Sequence, residues 1–276
     1  MQEDGESPVH VVIRVRPLTA RESAQGQKVA WSHDEERIWQ AMPGGVGRTY
    51  VPPQVYGFDR VYGANESSEV LHKECVAPSV DRAVQGFNAT VFAYGQTSSG
   101  KTTTIRGTEG CVGGEGLIPL CVKQVLATVE AERATAGDGG TRWRLRMADL
   151  EIYNENIGDL LTGATGLNIY EKKGGGILVQ DLREETIHDW ARAEELLLKG
   201  DTNKHVGCTE RNDKSSRAHT VFRLSIERSH ADGAVTASEL NIVDLAGSER
   251  QSAHARVQPK DAERAMRSQV ARGFSP

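Results

Sequence analysis

Aromatic residues are scarce in this sequence, only 5% of 276, too few for a surface that stacks bases along a strand. Excess charge is lacking too. With 33 basic and 38 acidic residues the net charge is -5, so no global basic field draws the chain to nucleic acid or to an anionic membrane. No apolar run approaches the roughly 20 residues that a membrane-spanning helix needs. The opening MQEDGESP is acidic and polar, where a secretory signal would be basic and then apolar. Cysteines number four, at positions 75, 111, 121 and 208. None forms a pair at metal-ligand spacing, which leaves ordinary thiols in a reducing compartment as the expectation. The reading is a cytosolic, soluble protein with neither nucleic acid nor membrane as partner.

What is present is an ordinary globular balance, 38% apolar residues with 29 glycines, at a length that suits one large domain or two small ones. VHVVIRVRPL alternates and is β-branched after Val9, so it predicts a buried strand. Short strands are expected around YVPPQVYGFDRVYG, and a helix over 67–85, interrupted or begun afresh at Pro78. Leu117, Cys121, Val125 and Val129 carry a helical period, WRLRMADLEIYNE reads as extended, and DWARAEELLLKG reads as a short helix ended by Gly200. HTVFRLSIERS and AVTASELNIVDL predict an antiparallel pair around Asp232-Gly233. Strands alternating with helices indicate an α/β, three-layer domain.

Three motifs carry chemistry. ATVFAY is a short apolar strand that breaks into Gly95, Gln96, Thr97, Ser98, Ser99, Gly100, Lys101 and Thr102. Small residues let backbone N–H groups converge on phosphate oxygens, and the following helix adds its dipole. Lys101 supplies a point charge, and the Thr102 hydroxyl suits magnesium. Holding a phosphate does not cleave it. Phosphoryl transfer also needs a further group at the metal and something to place water. NIVDLAGSE offers Asp244, ending an apolar strand, for the metal, and Gly247 for a backbone N–H approaching the γ-phosphate. NDKSSRAH offers Ser215 and Ser216, one to complete the metal shell and the other to orient water, with Arg217 placed to pair with Glu249. His219 reads as structural rather than as a base. Asp244-x-x-Gly247 would also suit a GTPase, but Asn203-Lys204 is followed by His205 and Val206, not by the guanine-reading Asp spacing.

In this order, with VIRVRP, GFDRVYG, LEIYNENIGDLL and LNIVDLAGSER around them, the motifs resemble the kinesin motor domain from about Val9 to Arg250. The resemblance implies a three-layer P-loop NTPase fold, a central mixed β-sheet flanked by helices. It implies ATP as substrate, Mg2+ as cofactor, the microtubule as partner and a cytoskeletal location. Arg14, Arg16 and Pro17 would line the adenine side, and Gly95 to Thr102 would hold phosphates. Ser215, Ser216 and Arg217 would form the first switch, and Asp244, Gly247 and Glu249 the second. In that frame Ser216 joins Thr102 and Asp244 at the metal, while Ser215, Arg217 and Glu249 organise the water. Glu151 to Leu161 would be structural. Thr103 stands where the family often packs an aromatic or histidine on adenine, and Ala218 stands for the usual serine.

The expected division is an N-terminal 1–8 without fixed structure, a motor-like 9–250 and a divergent tail 251–276. That tail carries five basic and two acidic residues, a local +3 (5 - 2). The family's filament-binding helices and a further core strand are not recognisable there. The alternative expectation is therefore a domain that holds nucleotide without moving along a filament.

Overall fold

The computed structural model describes residues 9–41, 53–107, 114–136, 141–172, 176–209 and 216–249. Strand β1 (Val12–Arg14) leads to a short helix α1 (Ala20–Ala24). Thr19 accepts the Glu22 N–H and Glu22 accepts the Thr19 N–H, a capping box that fixes so short a helix. A small antiparallel sheet follows from β2 (Trp31–His33), β3 (Arg37–Gln40) and β4 (Val55–Gly57). Strand β5 (Arg60–Tyr62) then pairs in parallel with β1. The expected helix over 67–85 is continuous: α2 (Ser68–Leu71), a π-helical turn at His72–Val76, and α3 (Ala77–Val84). Pro78 is tolerated because it lies in the first turn of α3, and the Ala77 N–H reaches back to the His72 carbonyl.

Next come β6 (Ala89–Ala93), α4 (Lys101–Arg106) and α5 (Leu117–Ala136). The long strand β7 (Arg142–Tyr153) turns into β8 (Asn156–Asp159) through Asn154 and Glu155, both at positive φ, as a two-residue hairpin with primed-turn twist requires. Strands β9 (Thr165–Leu167), β10 (Ile169–Glu171), β11 (Ile177–Val179) and β12 (Glu185–Ile187) precede α6 (Trp190–Thr209). Strands β13 (His219–Ser229) and β14 (Val235–Asp244) form the expected hairpin, with Gly233 at φ 86°.

The main sheet runs β6-β14-β13-β7-β8-β9, with β12 also beside β7. The β14–β6 pair is parallel and its neighbours are antiparallel, so the sheet is mixed. Pleat alternation gives it two unlike faces. Leu145, Met147, Phe222, Leu224, Ile226, Leu240 and Ile242 point one way, into a core completed by Val80 and Ala83 of α3, Ile105 of α4, Val122 and Val125 of α5, and Leu196 of α6. Each large side chain fully buried there contributes about 1.5–3 kcal/mol. On the other face a smaller cluster joins Leu150, Ile157 and Val179 beneath the β8 to β11 region. Toward the β6 edge of that face Phe92 remains 58% exposed. The α/β architecture with flanking helices is as expected; among the described residues helices α3 to α6 share the first face.

Two local expectations need correction. Strand β1 is half-buried and short, with Val11 48% exposed, because β5 is its one strand neighbour among the described residues. Helix α6 does not stop at Gly200 but runs on to Thr209. Gly200 is there for close approach, since a Cβ would lie 2.9 Å from Asp149 Oδ2. The tail 251–276 and the N-terminal 1–8 lie outside the described residues. Among the described residues no helix is long and apolar enough to cross a membrane.

Candidate nucleotide and metal site

Strand β6 delivers the chain to the end of the sheet beside β14, in register Val243 with Phe92 and Asp244 with Ala93. Side by side, one strand opens into the Gly95 loop and the other into Leu245-Ala246-Gly247. Backbone bonds tie the two loops together, from the Leu245 N–H to the Ala93 carbonyl and from the Ser248 N–H to the Gly95 carbonyl at 3.1 Å. Gly100, at φ 97°, is the N-cap of α4, a left-handed position that a side chain would strain. It turns the chain so that Lys101 and Thr102 open the helix.

A cavity of about 170 Å³ lies between these loops. Thr97, Ser98, Lys101 and Thr102 line one side of it, and Ser216, Asp244, Leu245 and Gly247 the other. The fold thus gathers residues that lie more than a hundred positions apart in the sequence. Thr102 Oγ1 donates to Asp244 Oδ2 at 2.5 Å. The other carboxylate oxygen, Asp244 Oδ1, is buried and has no hydrogen-bond partner. A buried carboxylate oxygen left without a partner is costly. Beside two hydroxyls it makes a set of hard oxygen donors of the kind that binds magnesium together with phosphate oxygens. The residues therefore fit magnesium. Among the described residues no cluster of three or more His, Cys, Asp or Glu could hold a metal by itself; a shared carboxylate-hydroxyl-phosphate site does not need one.

Other assigned groups hold partners of their own. Lys101 Nζ donates to the Gly95 and Gln96 carbonyls, both at 2.8 Å. The Gly247 N–H, expected to point at a phosphate, donates to the Ser216 carbonyl at 2.8 Å, which clasps the Ser216 turn to the end of β14. A Cβ at 247 would lie within 2.6 Å of Thr97 Oγ1 and the Glu249 carboxylate, so these side chains would have to move aside. Glu249, expected to pair with Arg217, accepts from the Thr97 N–H at 2.8 Å and from the Thr97 hydroxyl. The hydroxyl contact is the first cause of its lowered pKa. Arg217 is exposed beside the cavity residue Ser216, and Ser215 lies outside the described residues. His219 is a tether, as read: its Nδ1 accepts the Ala246 N–H at 3.1 Å. Burial pushes its pKa below the usual imidazole value, with Asp244 pulling the other way.

The residues expected at the base side divide. Arg14 turns inward, with Nη1 donating to Ser68 Oγ at 3.0 Å and Thr104 Oγ1 at 2.9 Å. It thereby joins β1 to α2 and α4, and burial lowers its pKa against the pull of Glu69. Arg16 stays at the surface beside the loop, its Nε donating to the Ser98 carbonyl at 2.8 Å, and Nη1 to the Pro17 carbonyl. Glu22 grips the same guanidinium bidentately at 2.7 Å, and Arg16 first, with Thr19, pulls the carboxyl down to about 2. Thr103 is exposed on α4. Sequence reasoning missed Glu22, although Thr19-x-x-Glu22 carries the capping-box spacing that could have revealed it.

Three likenesses agree with this geometry. The family described as the kinesin motor domain matches residues 14–271. A chloroplastic kinesin-like protein KIN-7K of rice is 40% identical over 245 residues, covering 87% of this chain and 22% of that protein. Human centromere-associated protein E is 37% identical over 256 residues, covering 89% of this chain and 9% of that protein. The chain thus spans less than a quarter of the length of either relative. A solved structure of a fast kinesin, described with its ATPase mechanism and its interactions with microtubules, superposes with a TM-score of 0.80 at 28% identity, covering 93% of this chain and 70% of that one. With the phosphate-loop geometry in place and the family matched over most of its length, this chain belongs to the kinesin motor domain family.

Proposed function

We propose that the chain hydrolyses ATP with magnesium and acts on microtubules as a motor domain. The observation that carries the reading is Asp244: one oxygen held by Thr102, the other buried and unpartnered, facing Lys101 and Ser216 across one small cavity. Thr102, Ser216 and Asp244 would hold magnesium, which when bound offsets negative charge on the phosphate oxygens. Lys101 would trade two neutral carbonyl acceptors for phosphate oxygens, a change that favours the charged acceptor. The loop N–H groups from Gly95 to Thr102 would cradle the same phosphates. Ser215, Arg217 and Glu249 would organise the attacking water, Glu249 leaving Thr97 to do so. Gly247 would release the Ser216 carbonyl to face the terminal phosphate. Arg16, Pro17 and Thr103 would border the base.

Turnover of magnesium ATP by the whole chain tests the reading, measured with and without microtubules and with GTP as competitor. Lys101→Ala should lower turnover by about 100-fold or more, on the scale of removing one charge-stabilising donor, in protein that still melts cooperatively. Unchanged turnover in that variant overturns the assignment. Nucleotide binding without turnover or filament stimulation supports instead a module that holds nucleotide and does not move.

A further inference from the structure

The helix that begins at the phosphate loop ends on a second, wholly different polar site. Arg106 closes α4, five residues after Lys101, or about 7.5 Å along the axis. Its side chain is only 7% exposed. Nη2 donates to both oxygens of Asp149, at 2.8 and 2.7 Å, and Nη1 donates to Asp201 Oδ1 at 2.8 Å. Asp149 sits within β7, and Asp201 sits in α6 next to Gly200, whose missing side chain lets the helix press against Asp149.

We propose that Arg106, Asp149 and Asp201 form a positioning lock between α4 and α6, in which Asp201 is the arm that releases. The inference rests on reading the start of α4 as the phosphate site.

The two arms differ in burial. Asp149 keeps 2% of its side chain exposed, and Asp201 keeps 35%. One guanidinium balances one of the two carboxylates. Asp149 cannot lose its partner without stranding a charge in the interior, whereas Asp201 can exchange Arg106 for water at little cost. Lys204, one turn further along α6, adds positive charge near Asp149 and gives the released arm a neighbour of opposite sign. The pair Arg106–Asp149 is therefore permanent, and Arg106–Asp201 can open.

Opening has a consequence at the cavity. Helix α6 ends at Thr209, and seven residues later the chain reaches Ser216, whose carbonyl holds the Gly247 N–H. Asp201 thus ties α6, the last described helix before Ser216, to the helix carrying Lys101 and Thr102. With the arm closed, both walls of the cavity keep one separation. With it open, α6 and the Ser216 turn can shift while the phosphate loop stays in place. Asp201 and Arg106 touch no reacting atom, so they are positioning residues.

The test compares the whole chain with its Asp201→Asn and Asp201→Glu variants. Asp201→Asn should lower kcat for ATP by about fivefold or more, the scale of coupling between linked sites. KM for ATP and affinity for a fluorescent ADP should stay within about twofold, a split that general unfolding would not give. Asp201→Glu should restore kcat. An unchanged kcat, a fall matched by loss of folded protein, or no rescue by glutamate overturns the lock. Hydrogen exchange is measured on the same samples: amides of Trp190–Thr209 should exchange about fivefold faster in Asp201→Asn alone. If the parent chain turns over no ATP, the functional reading fails by itself. The exchange result then decides the lock, and equal rates in all three proteins overturn it.

Discussion

The two ends of α4 show how burial decides what a charged residue does. At its start, Lys101 and Thr102 lie at a partly open cavity, and the lysine is held by two neutral carbonyls of its own loop. At its end, Arg106 is enclosed and held by the buried Asp149 carboxylate, with the partly exposed Asp201 as its outer partner. Neutral partners beside solvent can be exchanged for a better acceptor. A buried charged partner such as Asp149 cannot, because separating it from Arg106 costs far more than exposed pairs are worth. One helix thus carries exchangeable contacts at its start and a fixed anchor to the rest of the domain at its end.

The sharpest way to break that contrast is to remove the fixed partner. Asp149→Ala should cost about 3–5 kcal/mol, the scale for stranding one member of a buried pair, read by denaturant unfolding. A double variant, Arg106→Met with Asp149→Leu, should recover most of the loss, since a buried pair replaced as a whole is often neutral. Next in size, Gly200→Ala should destabilise by about 1–3 kcal/mol, the scale of overpacking, although alanine is the better helix former. Its Cβ would lie 2.9 Å from Asp149 Oδ2. Equal or raised stability of Gly200→Ala would show that α6 has room to move off the anchor.

The smallest effect belongs to the cavity end. Burial holds the His219 pKa in the folded chain below its ordinary 6.5. On acidification the unfolded chain therefore takes up the proton first, and the folded form loses stability. The contribution is complete above about pH 6.5 and shrinks as the pH falls through that value toward the lower folded pKa. Protonating Nδ1 would also remove the acceptor of the Ala246 N–H. Unfolding followed between pH 7 and 5 should show this slope, flattened in His219→Asn. Glu22, at about 2, and Glu249, also lowered, titrate below that window.

Local features explain which parts were legible in the sequence. The phosphate loop, the β13–β14 hairpin and the long strand β7 each follow from neighbours in the chain: glycine spacing, Asp232-Gly233, and apolar alternation. Gly200 misled because a helix-ending glycine and a glycine needed for close approach look alike until the opposing Asp149 is seen. The expected Arg217–Glu249 pairing took account of charge alone, whereas the loop places the Thr97 N–H and hydroxyl on the Glu249 carboxylate. Arg14 and Arg16 share one motif, yet Arg14 ends β1 and reaches inward to Ser68 and Thr104, whereas Arg16 lies beyond the strand and stays by the loop.

By itself, then, the sequence determined the backbone chemistry at the phosphate loop and the family to which the chain belongs, because both are written in short spans of residue type and spacing. Only the tertiary structure decided which carboxylate meets which cation. Asp149, Arg106 and Asp201 come from a strand and two helices far apart in the chain, and no local pattern records that the sheet and α6 close around the end of α4. Burial is a property of the assembled layers, and burial is what separates an anchor from an exchangeable contact.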